Sequence, residues 1–255
     1  YSEYSRELSF SGSTQDYYHL QEAEDFELDV EDLCRTLLNG YDFLILCNPN
    51  NPTSSAILKD EMRALLSFCA NRDIFVMIDE TYVEFAPSVQ EVTAVPYTKE
   101  FSNLMVLRGV SKFYAAPGMR FGYGITGNKE FLSQMKEKQI PWSLNSLGAY
   151  AGEQMFKDTS YIRQTRALIL MERDRMFLEL KKMSSFKVYF PYGNFILVKI
   201  LKPEVTSFDV FEACIKEGLM IRDCSSFQCL DGEFIRFCIM KPEDNNRLLK
   251  VLKTI

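Results

Sequence analysis

An α/β fold, with a mainly parallel sheet carrying helices on both faces and then a small α+β unit, is what this sequence predicts. Two observations carry the prediction. Apolar runs of strand length, Phe43-Leu44-Ile45-Leu46-Cys47 and Ile74-Phe75-Val76-Met77-Ile78, flank a stretch from Leu58 to Asn71 with apolar residues at helical spacing. Beyond about residue 183 the texture changes to short β-like runs that end in one helical segment.

In chain order, Tyr1-Ser2-Glu3-Tyr4 enters helix-like spacing without a cap or an initiating Met, so the polypeptide reads as incomplete. Asp29 to Leu38 reads as a helix. The strand Phe43 to Cys47 stops at the turn-rich Asn48-Pro49-Asn50-Asn51-Pro52-Thr53. After the helix 58–71 and the strand 74–79, Met105 to Arg108 and Tyr123 to Thr126 supply further strands of a parallel sheet. Ser143 to Met183 reads as one long helix or two joined ones. Val188-Tyr189-Phe190, Phe195 to Ile200, Leu219 to Arg222 and Phe234 to Ile239 are the β-like runs of the last part, interrupted by Ser207 to Glu217 and followed by the helical Pro242 to Leu252. The expected division is a large domain over 1–142, linking helices over 143–183 and a small C-terminal domain over 184–255. No repeat of fixed period and no low-complexity tract interrupts it.

The chain has 255 residues, 47% of them hydrophobic, which is ample for a packed core. A net charge of −6 without any block of Lys or Arg argues against nucleic acid as a partner, since that affinity rests on clustered cations. The seven cysteines, Cys34, Cys47, Cys69, Cys214, Cys224, Cys229 and Cys238, lack CxxC spacing and fall partly in apolar runs, as expected in a reducing cytoplasm. The single histidine, His19, reads as a surface or edge residue, and no metal site is expected. No stretch approaches the ~20 apolar residues of a membrane span.

The residues that suggest chemistry sit where strands should end. Ligands collect at the carboxyl ends of strands in such sheets, and Asn51, Asp79 and Lys112 all fall there. Asp79 follows an apolar run and needs a cationic or N–H partner to stay ionised. Tyr82 lies three residues on. Lys112 in Ser111-Lys112-Phe113-Tyr114 is closed from behind by Pro117-Gly118-Met119-Arg120. A lysine for a Schiff base, a carboxylate for a ring nitrogen and cationic or hydroxyl groups for a phosphate are what pyridoxal 5'-phosphate requires. Singly, each residue has an ordinary explanation: a strand-end aspartate, turn chemistry for Asn before Pro, a solvated lysine. Their joint occurrence points to the cofactor.

Taken together, Asn48-Pro49-Asn50-Asn51-Pro52-Thr53, Asp79-Glu80-Thr81-Tyr82 and Ser111-Lys112 with Arg120 resemble the fold-type I pyridoxal-phosphate enzymes of the class I/II aminotransferase superfamily. The resemblance runs through essentially the whole chain. It implies that Lys112 carries the coenzyme as a Schiff base, Asp79 holds the ring nitrogen, Asn51 and Tyr82 contact the ring oxygen, and Ser111 and Arg120 bind the phosphate. It also implies a homodimer.

Within the superfamily the chain looks like the branch containing histidinol-phosphate aminotransferase and threonine-phosphate decarboxylase. Lys112-Phe113-Tyr114-Ala115 with Pro117-Gly118, Ile140-Pro141-Trp142-Ser143-Leu144-Asn145, and Ile221-Arg222-Asp223-Cys224 with Phe234-Ile235-Arg236 favour the decarboxylase. That similarity implies a small phosphorylated amino acid or amino alcohol as substrate, decarboxylation as the reaction and transamination as the alternative. Arg236 would hold the substrate carboxylate, and Arg222 would help with carboxylate or phosphate; the planar forked guanidinium suits both anions.

Two positions depart from the family pattern. Gly109 stands three before the lysine, where a Ser or Thr hydroxyl is usual, and Ser54 replaces the Gly that normally follows Asn-Pro-Thr. The family's Gly-rich helix start and its ring-stacking aromatic precede anything in this chain. These departures support a competing expectation, a degenerate member of the fold that serves as a binding protein.

Overall fold

A computed structural model of the chain describes residues 2–228 and 230–255; Tyr1 and Cys229, the latter among the cysteines noted above, lie outside the described residues. Two four-stranded sheets organise them. In the first, β1 (Phe43–Cys47), β2 (Phe75–Asp79) and β3 (Leu104–Gly109) run parallel, and β4 (Gly122–Thr126) closes the edge antiparallel to β3. The expectation of a parallel strand at 123–126 is thereby corrected. The link from β3 to β4, residues 110–121, carries Lys112 and no α-helix to cross over the sheet, so the chain turns back antiparallel.

The alternation of β2 shows why the sequence folds this way. Val76 and Ile78 are fully buried, while Phe75, Met77 and Asp79 point to the other face and are half-buried. Beneath the first face lie α2 (Val30–Leu37) and α3 (Lys59–Ala70), which supply Leu33, Leu37, Met62, Leu65, Leu66 and Cys69 to the core. Helix α2 starts where Asp29 accepts the Asp32 N–H at 2.9 Å, an N-cap of the expected kind. On the opposite face Phe131 packs on Phe75 with ring centroids 4.9 Å apart. Phe131 belongs to a helix over Lys129–Lys138 that the sequence reading missed. That helix buries none of its residues fully, and Phe131, Leu132 and Met135 are its only apolar positions among charged and polar ones; its clearer signal was the N-cap Asn128, which accepts the Phe131 N–H at 2.9 Å.

The stretch read as one or two helices is two, Ser146–Lys157 and Thr159–Leu180, joined at Asp158. The longer one holds both halves of the molecule through two arginines, Arg173 fully buried and Arg166 half-buried. Arg173 donates to the carbonyls of Phe85 at 3.0 Å and Tyr192 at 3.4 Å, and Arg166 donates to those of Glu84 and Ala86. These bonds pin the turn that follows Tyr82.

The second sheet is antiparallel throughout, in the order β5 (Phe186–Val188), β6 (Phe195–Ile200), β8 (Phe234–Cys238), β7 (Arg222–Asp223). Two expected runs are shifted: the first strand lies at 186–188 instead of 188–190, and β7 takes only the last residue of the run 219–222. Leu219 and Ile221 are apolar because they are buried in the helical side of the core, not because they pair. Segment 207–217 is the helix Ser207–Lys216, and Pro242–Leu252 is helical as read. The other face of this sheet is covered by an early segment of the chain, with Phe26 packed on Tyr189 and Phe234 at centroid distances of 5.0 and 5.9 Å. Glu22 fastens it by accepting from Tyr189 Oη at 2.9 Å and Lys199 Nζ at 2.7 Å.

Beside the first sheet lies a buried ion pair. Glu80 accepts from Arg108 Nε at 3.0 Å and Nη2 at 2.7 Å, and also from Ala94 N–H and Thr93 Oγ1. Glu84 is poorer in partners: its Oε2 is buried without a hydrogen bond, and Arg108 Nη1 stays 3.9 Å from Oε1. Burial pushes the Glu84 carboxyl above its ordinary value of 4.5, against the weaker opposing pull of its own backbone N–H and Arg108. An acid raised in the folded state confers stability below its unfolded pKa and loses it as pH rises through the folded one. Glu84→Gln should therefore be more stable than the parent at neutral pH, with the difference vanishing below about pH 4.5. Urea midpoints measured across that range check this.

Candidate active site

The carboxyl ends of β1, β2 and β3 open into one cavity of about 1080 Å³. Asn51, Asp79, Tyr82, Ser111, Lys112, Arg120 and Arg236 line it, so all but one of the site residues expected from the sequence come together. The exception is Arg222, which is exposed and donates to Ser226 Oγ at 2.9 Å. It is nonetheless directly opposite Arg236 in the β7–β8 register, and both guanidinium groups stack on Phe227, at 5.5 and 5.7 Å from the ring centroid.

Each group is set by its element. Asn51 lies in the loop after β1, and that loop is positioned by Asn48, whose buried side chain accepts the Ile57 N–H at 2.9 Å and donates to the carbonyls of Ile57 and Val92 at 3.0 Å each. The Asn48 N–H donates to the carbonyl of Asp79 at 2.9 Å, which ties the ends of β1 and β2 together. Asp79 is the last residue of β2 and half-buried. Its Oδ1 accepts from the Thr81 N–H at 2.9 Å and from the Thr81 hydroxyl, and its Oδ2 accepts from the Tyr4 hydroxyl. Tyr4 is a site residue that sequence reading missed. It sits on α1 (Ser2–Phe10), 75 residues before its partner, and a lone tyrosine carries no local signal.

Tyr82 packs edge-on against Phe195 with centroids 5.0 Å apart, and Lys112 Nζ lies 5.9 Å from the Tyr82 ring centroid. Burial pushes the Tyr82 phenol up to about 12, with Arg236 pulling the other way, so the hydroxyl stays protonated and able to donate. Arg236 donates to Asn51 Oδ1, and its guanidinium carbon lies 5.2 Å from the Phe195 ring centroid. Lys112 and Arg120 are exposed at the cavity, while Phe113 between them is buried against Phe85 at 5.3 Å and has its carbonyl held by Tyr161 Oη at 2.8 Å. The buried aromatic anchors the loop that carries the amine. Arg120 ends the loop in the left-handed region, φ +50°, with Nη1 donating to the Pro117 carbonyl at 3.2 Å.

The departure at Gly109 has a local explanation. Gly109 pairs with Gly122 at the end of β3, where a Cβ would lie 3.3 Å from the Phe121 carbonyl oxygen. The crowding leaves little room for the usual hydroxyl side chain.

An amine, an acidic strand end with ordered donors on both oxygens, a phenol, an amide and an arginine around one cavity fit a pyridoxal-phosphate enzyme of fold type I. Known proteins agree. The family model for class I and II aminotransferases matches residues 1–252. Threonine-phosphate decarboxylase of Salmonella typhimurium is 29% identical over the whole chain, which covers 68% of its length. Histidinol-phosphate aminotransferase of Methanococcus aeolicus is also 29% identical, with the whole chain covering 67%. The crystal structure of histidinol-phosphate aminotransferase from Clostridium acetobutylicum superposes with a TM-score of 0.91 at 33% identity, covering 100% of this chain and 75% of that one. The chain belongs to the class I and II aminotransferase family, and pyridoxal 5'-phosphate is its cofactor.

Among the described residues that line the cavity, Lys112 is the only lysine. Borohydride treatment of the coenzyme-loaded protein should fix the label on the peptide containing Lys112, and Lys112→Ala should abolish both the label and the visible absorbance band. Peptide mass mapping reads the outcome.

Proposed function

We propose that the protein decarboxylates L-threonine O-3-phosphate to 1-aminopropan-2-yl phosphate, a step of cobalamin biosynthesis. The observation that carries the reading is Arg236 in the cavity with Arg222, outside the lining, directly opposite it on the β7–β8 ladder: a substrate with a carboxylate and a phosphate calls for two guanidinium groups on one face. The relative from Salmonella typhimurium carries the name of that activity.

When bound, the coenzyme supplies an electron sink for whichever bond at the substrate α-carbon breaks. In this reading Asp79 keeps a proton on the ring nitrogen, with Thr81 and Tyr4 orienting the carboxylate. Asn51 and Tyr82 donate to the ring oxygen, Ser111 and Arg120 bind the phosphate, and Lys112 is the point of attachment. Arg236 holds the substrate carboxylate through one edge while its contact with Asn51 fixes the guanidinium plane. Once carbon dioxide has left, the Lys112 amine delivers a proton to the α-carbon. Which bond breaks would depend on where the arginines pin the anions, because that sets how the substrate α-carbon is presented in the cavity.

Transamination of histidinol phosphate or a related amino acid is the second reading, favoured by the likeness to the Clostridium acetobutylicum enzyme. For assembly and setting we propose a cytoplasmic homodimer. Ile140, Trp142, Leu147 and Tyr150 are 76, 96, 76 and 66% exposed, an apolar stretch suited to a second copy of the chain.

Incubated with L-threonine O-3-phosphate, the coenzyme-loaded protein should release carbon dioxide and one equivalent of the amine without any 2-oxoglutarate. Glutamate formation dependent on 2-oxoglutarate, with no carbon dioxide, would replace the first reading by the second. Arg236→Gln should raise KM for the amino acid by roughly a hundredfold, in line with the loss of a charge-assisted bidentate contact, which steady-state kinetics will measure.

A further inference from the structure

Behind Asn51, on the side of its loop turned away from the cavity, lies a hydroxyl with no counterpart in the family pattern. Ser54 is fully buried, and its φ of +62° lies in the left-handed region, where glycine is at ease and serine is not. The serine makes a bond that glycine cannot. Its Oγ accepts the backbone N–H of Gly193 at 2.8 Å, while its carbonyl accepts that of Tyr192, also at 2.8 Å.

Those two donors come from the segment that leads into β6. Two residues past Gly193, Phe195 offers its ring to the Arg236 guanidinium and makes a T-shaped contact with Tyr82. Arg236 returns to the starting loop by donating to Asn51, three residues before Ser54. Asn51, Ser54, Gly193, Phe195 and Arg236 therefore form a closed circuit between the two sheets. It is tightly packed: a Cβ on Gly193 would lie 3.1 Å from both the Ser54 hydroxyl and the Phe195 ring.

We propose that Ser54 is a positioning residue for the substrate carboxylate: its hydroxyl fixes the segment carrying Phe195 and thereby sets Arg236, while touching neither coenzyme nor substrate. The inference rests on the reading of Arg236 as the carboxylate-binding group. A backbone N–H needs an acceptor, and the Ser54 hydroxyl is the acceptor given to Gly193 here.

Ser54→Gly is the decisive variant, because glycine adopts φ +62° freely and removes only the acceptor. In the coenzyme-loaded protein, binding of L-threonine O-3-phosphate and of 1-aminopropan-2-yl phosphate, which lacks the carboxylate, is read from the coenzyme absorbance. Affinity for the amino acid should fall about tenfold, while affinities for the amine and for the coenzyme change less than about twofold. On an Arg236→Gln background, Ser54→Gly should add nothing further. Equal losses for both ligands, a loss of coenzyme affinity, or no loss at all would each overturn the proposal. An Arg236→Gln variant with undiminished affinity for the amino acid overturns the reading of Arg236 and the proposal with it. That result is distinct from an inert Ser54→Gly beside a damaging Arg236→Gln, which refutes Ser54 alone.

Discussion

The side-chain amide of Asn48 is the fixed point of the site. It is buried, and it spends its capacity on backbone groups of residues 57 and 92 while its own N–H reaches the carbonyl of Asp79. An amide buried in this way is costly unless every bond is made, so its satisfaction holds the loop after β1 in one conformation. The separation of Asn51 from Asp79, and hence the width available to a ring between them, follows from that constraint. An aspartate there would bring charge and no donor, and a leucine would leave the backbone groups of 57 and 92 unpaired.

From that point the arrangement spreads to the second sheet by polar contacts that run beside a shared apolar core, in which Phe85 and Phe113 pack with residues of that sheet. Arg236 reaches Asn51, Ser54 receives Gly193, and Arg173 spans the carbonyls of Phe85 and Tyr192. Polar seams of this kind are directional, so they fix the angle between the halves more sharply than apolar packing of equal area. Asp79 and Lys112 reach the cavity from the first sheet and its loops and Arg236 from the second, and the seam brings them into a common frame.

Much of this was legible in the sequence. Phe43–Cys47, Phe195–Ile200 and Pro242–Leu252 were readable to the residue, because each is a short apolar or amphipathic run bounded by turn residues or a proline. Asn51, Asp79 and Lys112 were visible as polar groups at strand ends, and the cavity unites them. The helix over 129–138 escaped because it contributes no residue to the core, and the direction of β4 escaped because a strand's sequence does not state its partner. Tyr4 and Ser54 act across 75 and 139 residues, a separation over which local pattern says nothing. The replacement of glycine at 54 was readable as an oddity, but its meaning depends on where Gly193 lies.

The early segment that lies across the second sheet has a mechanical consequence. Its upstream end leads from α1, whose Tyr4 bonds Asp79, and Glu22 and Phe26 clamp its middle to Lys199, Tyr189 and Phe234. Downstream it passes directly into α2 beneath the first sheet. The polypeptide thus works as a tether, made fast to one half, looped over the other and made fast to the first again. Any rotation of one half against the other would pull on this line, and the tension would arrive through Tyr4 at the Asp79 carboxylate.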